Sequence, residues 1–217
     1  MKLDKNSRGT ILIIWAICIG LFVLLCLLTR LGWLRWLIGL ILLASGTFCT
    51  WFFRVPTRSG PGSTKTVTSV ADGEVVIIDH IFEKEFLRRE CIRISIYMDF
   101  MNVHANFWPV TGEVIYCHYH PGKHKLAFLP KSSELNEHAT TAIRTPEGKE
   151  LLFKQIAGTF ARRVVSYSEK GLQVKAGEQC GIIKLGSRID FFLPLDAEVK
   201  VDEGDIVRAC ETVIAEL

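Results

Sequence analysis

Serine, histidine and aspartate, the residue types of nucleophilic catalysis, stand out at three places in the chain. Ser187 follows Gly186 at the end of an apolar strand pattern, in residues 182–190 (IIKLGSRID). His104 stands alone between two apolar stretches, and Asp72 lies in a turn before another strand pattern. Taken singly, all three are also ordinary turn or core residues. Residue type therefore shows that a hydroxyl, an imidazole and a carboxylate are present, but not that they form one site.

Histidines also cluster in residues 118–124 (HYHPGKH), at positions 118, 120 and 124. Pro121 and Gly122 make this segment a turn, and no carboxylate or cysteine completes a set of metal ligands within it. The seven cysteines are an odd number, three of them lie in apolar N-terminal runs, and the others show no CxxC spacing. We interpret them as reduced thiols of a cytosolic environment and predict that the protein holds no metal.

Short strands must position these residues. Segments rich in β-branched and aromatic residues, separated by turn residues, predict strands at 74–79, 91–98, 113–119, 151–158, 162–168, 180–186 and 190–194. Two Gly-centred hairpins, at 171–185 and 198–217, resemble those of lipoyl- and biotinyl-type domains. Residues 134–142 predict one short helix. The predicted fold is mainly β, a barrel-sandwich domain.

Two uncharged apolar runs, 10–28 and 36–53, precede the strands. At a rise of about 1.5 Å per residue, each is long enough to cross or nearly cross a hydrocarbon core of about 30 Å. The link at 30–35 carries two arginines and a tryptophan, as expected for a turn among lipid headgroups. A cleaved signal peptide is the alternative for the first run, but the second run follows too closely for one. The sequence therefore predicts a transmembrane helical hairpin.

Charge divides the chain in the same way. Of the 26 Lys and Arg and 23 Asp and Glu, five cations and one acid lie in residues 1–53, so the remainder is nearly neutral. A neutral body argues against a nucleic-acid partner, whose phosphates a basic patch would have to neutralise. Cations outside the two runs outnumber those in the link, which places both chain ends in the cytoplasm. The predicted domains are the hairpin at 1–53, a linker at 54–69 and a soluble domain at 70–217.

Several short sequence motifs, in this order along the chain, resemble those of a known family. They are FFRVPTR (52–58), VADGEVV (70–76), VHANFWPVTG (103–112), HPGK (120–123), NE (136–137), QIAGTFARRVV (155–165) and IIKLGSRIDFFLP (182–194). Together they resemble the short, membrane-anchored form of the phosphatidylserine decarboxylase family over essentially the whole chain. The QIAG…ARR and GxIKxGSR motifs are the most specific, and Cys210 departs from the family, whose last hairpin usually has glycine at that position.

The resemblance implies a self-made cofactor. In that family the Gly-Ser bond is the self-cleavage site, so Ser187 would attack the carbonyl of Gly186 and leave a large chain, residues 1–186, and a small chain, residues 187–217. The small chain would begin with a pyruvoyl group derived from Ser187, and neither metal nor pyridoxal phosphate would be needed. A hydroxyl nucleophile needs an imidazole base oriented by a carboxylate. His104 and Asp72 match those roles, and His104 would also return a proton during decarboxylation.

The resemblance further implies the substrate and its setting. The pyruvoyl group would form a Schiff base with the serine amine of phosphatidylserine, and loss of carbon dioxide would give phosphatidylethanolamine. The implied location is the cytoplasmic face of the cell (inner) membrane, where a short tether keeps the domain close to its lipid. A homodimer is compatible with this family. Candidate substrate-binding residues are His120, Lys184, Arg188, Arg162 and Arg163.

One departure from the family keeps other functions open. Longer members carry two histidines three residues apart around His104, and here position 107 is phenylalanine. Either His104 serves both self-cleavage and decarboxylation, or another group helps. The alternatives are an uncleaved relative that binds lipid without turning it over, and a non-catalytic, membrane-tethered sandwich-barrel module. A carrier module would need a lysine at a hairpin tip, and neither VKAGEQ nor VDEGDI supplies the expected arrangement.

Overall fold

The computed structural model describes residues 2–61, 63–123, 136–158, 163–184 and 187–217. The chain forms two compact units, Met1–Thr57 and Arg58–Leu217. The division falls within the segment predicted as a linker. Thr66–Thr68, from the end of that segment, forms a strand of the second unit.

The first unit is a helical hairpin whose elements are β1 (Lys2–Leu3), a 3-10 turn (Lys5–Ser7), α1 (Arg8–Leu28), α2 (Gly32–Phe52) and β2 (Arg54–Val55). Strands β1 and β2 pair antiparallel, and Trp15 Nε1 of α1 donates a hydrogen bond to Thr50 Oγ1 of α2 (2.9 Å). Each helix has 21 residues, a length of about 30 Å. Both are therefore long and apolar enough to cross a membrane, as the sequence predicts.

The second unit is built from strands, which confirms the predicted mainly β class. The strands are β3 (Thr66–Thr68), β4 (Gly73–Glu83), β5 (Arg89–Met98), β6 (Ala105–Phe107), β7 (Gly112–His120), β8 (His138–Arg144), β9 (Glu150–Ala157), β10 (Arg163–Ser166), β11 (Gln173–Val174), β12 (Gln179–Lys184), β13 (Ser187–Leu193), β14 (Glu198–Val199), β15 (Ile206–Val207) and β16 (Val213–Glu216). Each of the seven predicted strands overlaps one of these.

Neighbouring strands in this unit run antiparallel and form three sheets. The largest sheet curls around the core in the order β11-β7-β8-β9-β13-β5-β4-β15. Two three-stranded sheets, β10-β12-β6 and β14-β16-β3, complete the sandwich. Most buried apolar side chains belong to one cluster enclosed by these sheets.

The helix predicted at 134–142 is wrong for residues 138–142. His138–Arg144 is strand β8, which pairs with β7 on one side and with β9 on the other. Two ladders outweigh the local helix preference of this segment, because strand pairing in a buried sheet satisfies its backbone groups and packs its side chains. Residues 134 and 135 lie outside the described part of the chain.

The two predicted Gly-centred hairpins hold the ends of the large sheet in the same way. Gly177 and Gly204 take positive φ angles of 82° and 95°, and Cys210 takes 67°, as its position in the last hairpin requires. Strand β11 pairs with the start of β7 and strand β15 with the start of β4, and both long strands begin with the sequence Gly-Glu-Val. The two hairpins thus add a short strand, β11 or β15, to opposite ends of the large sheet in a similar way.

Strand β13 shows how the large sheet presents two different faces. Ile189 belongs to the main core, whereas Phe192 belongs to a second, smaller cluster. Side chains alternate along a strand, so Ser187 shares the core face with Ile189. Arg188 and Asp190 share the other face, here called the outer face, with Phe192. This alternation decides which candidate site residues can meet.

Candidate active site

Ser187 is the first residue of β13 and is fully buried. Its backbone pairs with Met98 of β5 on one side and Ala157 of β9 on the other, and its Oγ donates to Met98 Sδ at 2.9 Å. Ladders on both sides fix this residue independently of the peptide bond before it. Gly186, the other half of the predicted cleavage bond, lies outside the described residues.

His104 lies beside the strand that leads towards Ser187. It is fully buried, it precedes β6, and its carbonyl accepts a hydrogen bond from the N–H of Ile183 in β12 (3.1 Å). His104 Nδ1 is 2.9 Å from the carbonyl oxygen of Asn102. A carbonyl only accepts, so this contact places the proton of the neutral ring on Nδ1 and leaves the basic lone pair on Nε2. That is the tautomer a general base requires.

Asp72 is joined to the His104 segment through Asn102. Asn102 Nδ2 donates to the backbone carbonyl of Asp72 (3.5 Å), while the Asp72 carboxylate binds the guanidinium of Arg58 (Nη2–Oδ2 2.8 Å) and the N–H of Ala209 (2.9 Å). The carboxylate hydrogen bond raises the pKa of Arg58, against the effect of its burial. The link from Asp72 to His104 therefore runs through the backbone carbonyls of Asp72 and Asn102, while the Asp72 carboxylate itself binds Arg58 and Ala209.

Sequence reasoning missed Arg58 and Asn102. Arg58 stands inside the quoted word FFRVPTR and Asn102 directly precedes VHANFWPVTG. Both are polar residues of common type, so only the fold shows that they adjoin Asp72. Their positions within or beside the quoted motifs were the one sequence feature that could have identified them.

The predicted substrate-binding cations within the described residues lie on two different sheets. Arg188 is fully buried on the outer face, where it forms a two-point ion pair with Asp190 (Nε–Oδ1 2.6 Å, Nη2–Oδ2 2.8 Å). Lys184 pairs in register with Arg163, which lines a cavity of about 480 Å³ bounded by β7, β8 and β10. Arg162 lies outside the described residues. The structure thus places Arg188 on the face opposite Ser187.

His120 also lies on the outer face, in a cluster with Glu85 and His138. His120 Nε2 is 2.7 Å from Glu85 Oε1, and the two imidazole rings stack with centroids 4.3 Å apart. The ligand atoms of these three residues lie within 4.8 Å of one another, which is close enough for a metal ion. However, Lys154 Nζ bonds Glu85 Oε2 at 2.7 Å, so a metal ion would face an ammonium group. This chemistry fits an ion-pair network better than a metal site.

The same network sets two pKa values. Burial raises the pKa of Glu85, but hydrogen bonds from Lys154, His120 and Thr140 outweigh it and lower the value to about 2. Burial lowers the pKa of His138, whose Nδ1 is 2.7 Å from the carbonyl of Asn136. Glu85 therefore stays ionised and anchors its loop to the sheet.

Comparison with known proteins gives consistent matches. The profile of the family described as phosphatidylserine decarboxylase matches residues 46–215. A phosphatidylserine decarboxylase proenzyme of Amoebophilus asiaticus is 44% identical over 172 residues, covering 79% of this chain and 76% of that protein. A protein of the same name from Bacteroides thetaiotaomicron is 45% identical over 167 residues, 76% of this chain and 73% of its own. One from Parabacteroides distasonis is 37% identical over 218 residues, 100% of this chain and 99% of its own.

We predict that Glu85→Gln reduces stability at neutral pH and flattens its dependence on acid. The folded pKa of about 2 lies below the ordinary value of 4.5, so the stabilisation is complete above pH 4.5 and disappears as pH falls towards 2. We expect a loss of about 2 kcal/mol at pH 7, measured by urea unfolding at several pH values. The control is Glu90→Gln, an exposed residue nearby. Equal acid dependence in wild type and Glu85→Gln would contradict the assignment.

Proposed function

Because this chain belongs to the phosphatidylserine decarboxylase family, a family of carboxy-lyases, we propose that it converts phosphatidylserine to phosphatidylethanolamine and carbon dioxide after cutting itself between Gly186 and Ser187. The observation that carries the proposal is the position of Ser187. It is a buried serine at the first residue of a strand paired on both sides, and the carbonyl of His104 accepts a hydrogen bond from Ile183 of β12, the strand that precedes Ser187.

Self-cleavage needs a nucleophile, a base and a rigid frame. His104 accepts the proton of Ser187 Oγ, which attacks the carbonyl carbon of Gly186 and turns the amide into an ester. Removal of the Ser187 α-proton then breaks the ester C–O bond and leaves Gly186 as a carboxylate. The dehydroalanine at 187 takes up one water and releases ammonia. Asp72 acts on His104 through Asn102 as a positioning residue.

The surroundings of residue 187 fit a pyruvoyl group. The side chains of Met98 and Ala157, which flank residue 187, are uncharged and do not require a charged chain end there. The ladders to β5 and β9 would keep residue 187 in place after the preceding bond is cut. A pyruvoyl group supplies a carbonyl that condenses with the headgroup amine and takes up the electrons of the breaking carbon–carboxylate bond. His104 then donates a proton to the carbon that has lost carbon dioxide.

The two cleaved chains would remain one protein. The small chain, residues 187–217, contributes β13, which lies between two strands of the large chain, and β16, which pairs with β3. In this proposal the two apolar helices hold the catalytic domain at the cytoplasmic face of the cell (inner) membrane, where its lipid substrate is confined. A homodimer stays a prediction.

A second candidate, an uncleaved lipid-binding relative, has one observation in its favour. The two positions three residues from His104 are Met101 and Phe107, and neither side chain titrates. In the leading proposal His104 must therefore serve both steps.

We predict two chains in the purified wild-type protein, residues 1–186 and residues 187–217, the second without a free amine. Ser187→Ala removes the nucleophile and should leave one full-length chain. Ser95→Ala is the matched control, because Ser95 is also a fully buried serine of the large sheet, and it should cleave normally. Intact mass measurement after membrane extraction decides. An uncut wild type would favour the second candidate.

His104→Ala should lower the rate of labelled carbon dioxide release by about 100-fold or more, the usual contribution of general acid–base catalysis. His80→Ala, which alters an exposed histidine on β4, should retain the wild-type rate. Cleavage is followed in the same samples. If His104→Ala cleaves normally, another group is the base for self-cleavage. If it also releases carbon dioxide at the wild-type rate, both roles of His104 are wrong.

A further inference from the structure

Two buried amide side chains meet across the sandwich. Gln155 of β9 belongs to the large sheet and Asn106 of β6 to a small one, and Gln155 Nε2 donates to Asn106 Oδ1 at 2.8 Å. Both residues are fully buried. This hydrogen bond therefore joins two sheets inside the core, where polar groups must be paired to avoid a desolvation cost.

Each amide nevertheless keeps one unpaired atom. Within the described part of the chain, neither Asn106 Nδ2 nor Gln155 Oε1 has a hydrogen-bond partner. Exchanging oxygen and nitrogen in both amides would preserve the bond between them and again leave one donor and one acceptor unused. Unsatisfied buried groups are costly and call for an explanation. A ligand that offers both an acceptor and a donor would supply one.

The amide pair lies next to residue 187 on the core face. Ser187 pairs with Ala157, and Gln155 is two residues further along the same strand, with its side chain on the same face. Such diagonal neighbours have Cβ atoms about 7–8 Å apart, within reach of a long side chain or a small headgroup. Ala139, which pairs with Gln155, lines the cavity of about 480 Å³. By strand register, Gln155 thus lies between Ala139 at that cavity and the position of Ser187.

The absence of a side chain at Gly181 leaves space for the Gln155 amide. A Cβ atom at Gly181 would lie 2.7 Å from Gln155 Nε2 and 2.4 Å from the carbonyl oxygen of Val165. Any larger residue at 181 would therefore push the Gln155 amide away from Asn106. Gly181 pairs in register with Asn106 itself.

We propose that the Asn106–Gln155 amide pair recognises the α-amino acid headgroup of the substrate, with the amide N–H donating to its carboxylate and the amide oxygen accepting from its amine. This inference rests on the proposed function. A headgroup with an amine but no carboxylate, such as that of the product, engages only half of the pair. The pair therefore favours substrate over product at the site.

The test compares two short-chain lipids that differ only in the headgroup carboxylate. Full-length wild type, Gln155→Met and Asn106→Leu are first checked for cleavage by intact mass. Each is then incubated with dihexanoyl phosphatidylserine or dihexanoyl phosphatidylethanolamine and cyanoborohydride, which reduces any imine at residue 187. The rate of mass gain on the small chain gives the preference for the carboxylate. Thr145→Val is the control, because Thr145 Oγ1 is also buried without a partner within the described residues but lies beyond the end of β8.

We expect wild type and Thr145→Val to react faster with phosphatidylserine, and the two amide variants to lose that preference by about tenfold or more, as expected for one hydrogen bond to a charged group. Parallel loss with both lipids, or an unchanged preference, would overturn the inference while leaving the proposed function intact. A wild type that cleaves but gains no mass from either lipid would overturn both.

A second measurement covers variants that do not cleave. The Ser187→Ala variant is expected to stay uncleaved, so binding to it can be measured without self-cleavage. Calorimetry compares the binding of the same two lipids to Ser187→Ala and to the double variant Ser187→Ala, Gln155→Met. Loss of the preference for phosphatidylserine supports the inference. Equal preference in both proteins overturns it.

Discussion

The proposed chemistry of this protein depends on a strand that is held from both sides at its first residue. Strand β13 pairs along its length with β5 and over most of its length with β9, and Ser187 starts both ladders. A chain end is normally the least ordered part of a strand. Here the ladders would keep a new chain end in register, so the protein can lose the bond before residue 187 without losing the position of residue 187. In the proposed mechanism the large sheet thus holds residue 187 in place after the chain before it has been cut.

The alternation of side chains along that strand separates two environments. Ser187 on the core face shares its surroundings with Met98, Ala157 and the buried amides, whereas Arg188 on the outer face is committed to Asp190. His120 and Glu85 belong to the outer face as well. The positive charge of Arg188, next to the proposed cleavage bond in sequence, is therefore directed to the face opposite Ser187. The core face offers neutral donors and acceptors instead, which suits a headgroup that carries both charges.

Much of the fold follows from local sequence patterns. Segments rich in β-branched and aromatic residues predicted seven strands to within a few residues at most ends, and Gly-centred turns predicted the hairpins, in which Gly177 and Gly204 have positive φ. The predicted helix at 134–142 failed because the ladders of β8 connect residues far apart in sequence. The sequence named single candidate residues, whose roles stay predictions, but not the side chains that contact them. Arg58, Asn102 and the Asn106–Gln155 pair acquire their roles only through contacts between distant strands, and a single sequence carries no record of those contacts.

The most direct test of the proposed mechanism measures how turnover falls as the carbonyl expected at residue 187 is blocked by a probe. Purified wild-type protein in lipid is treated with increasing amounts of a hydrazine probe, and probe mass on residue 187 is followed together with release of labelled carbon dioxide. We predict that activity falls in proportion to the labelled fraction and reaches zero at one probe per small chain. Turnover that persists in fully labelled protein, or in protein whose Ser187 is still joined to Gly186, would contradict the central claim.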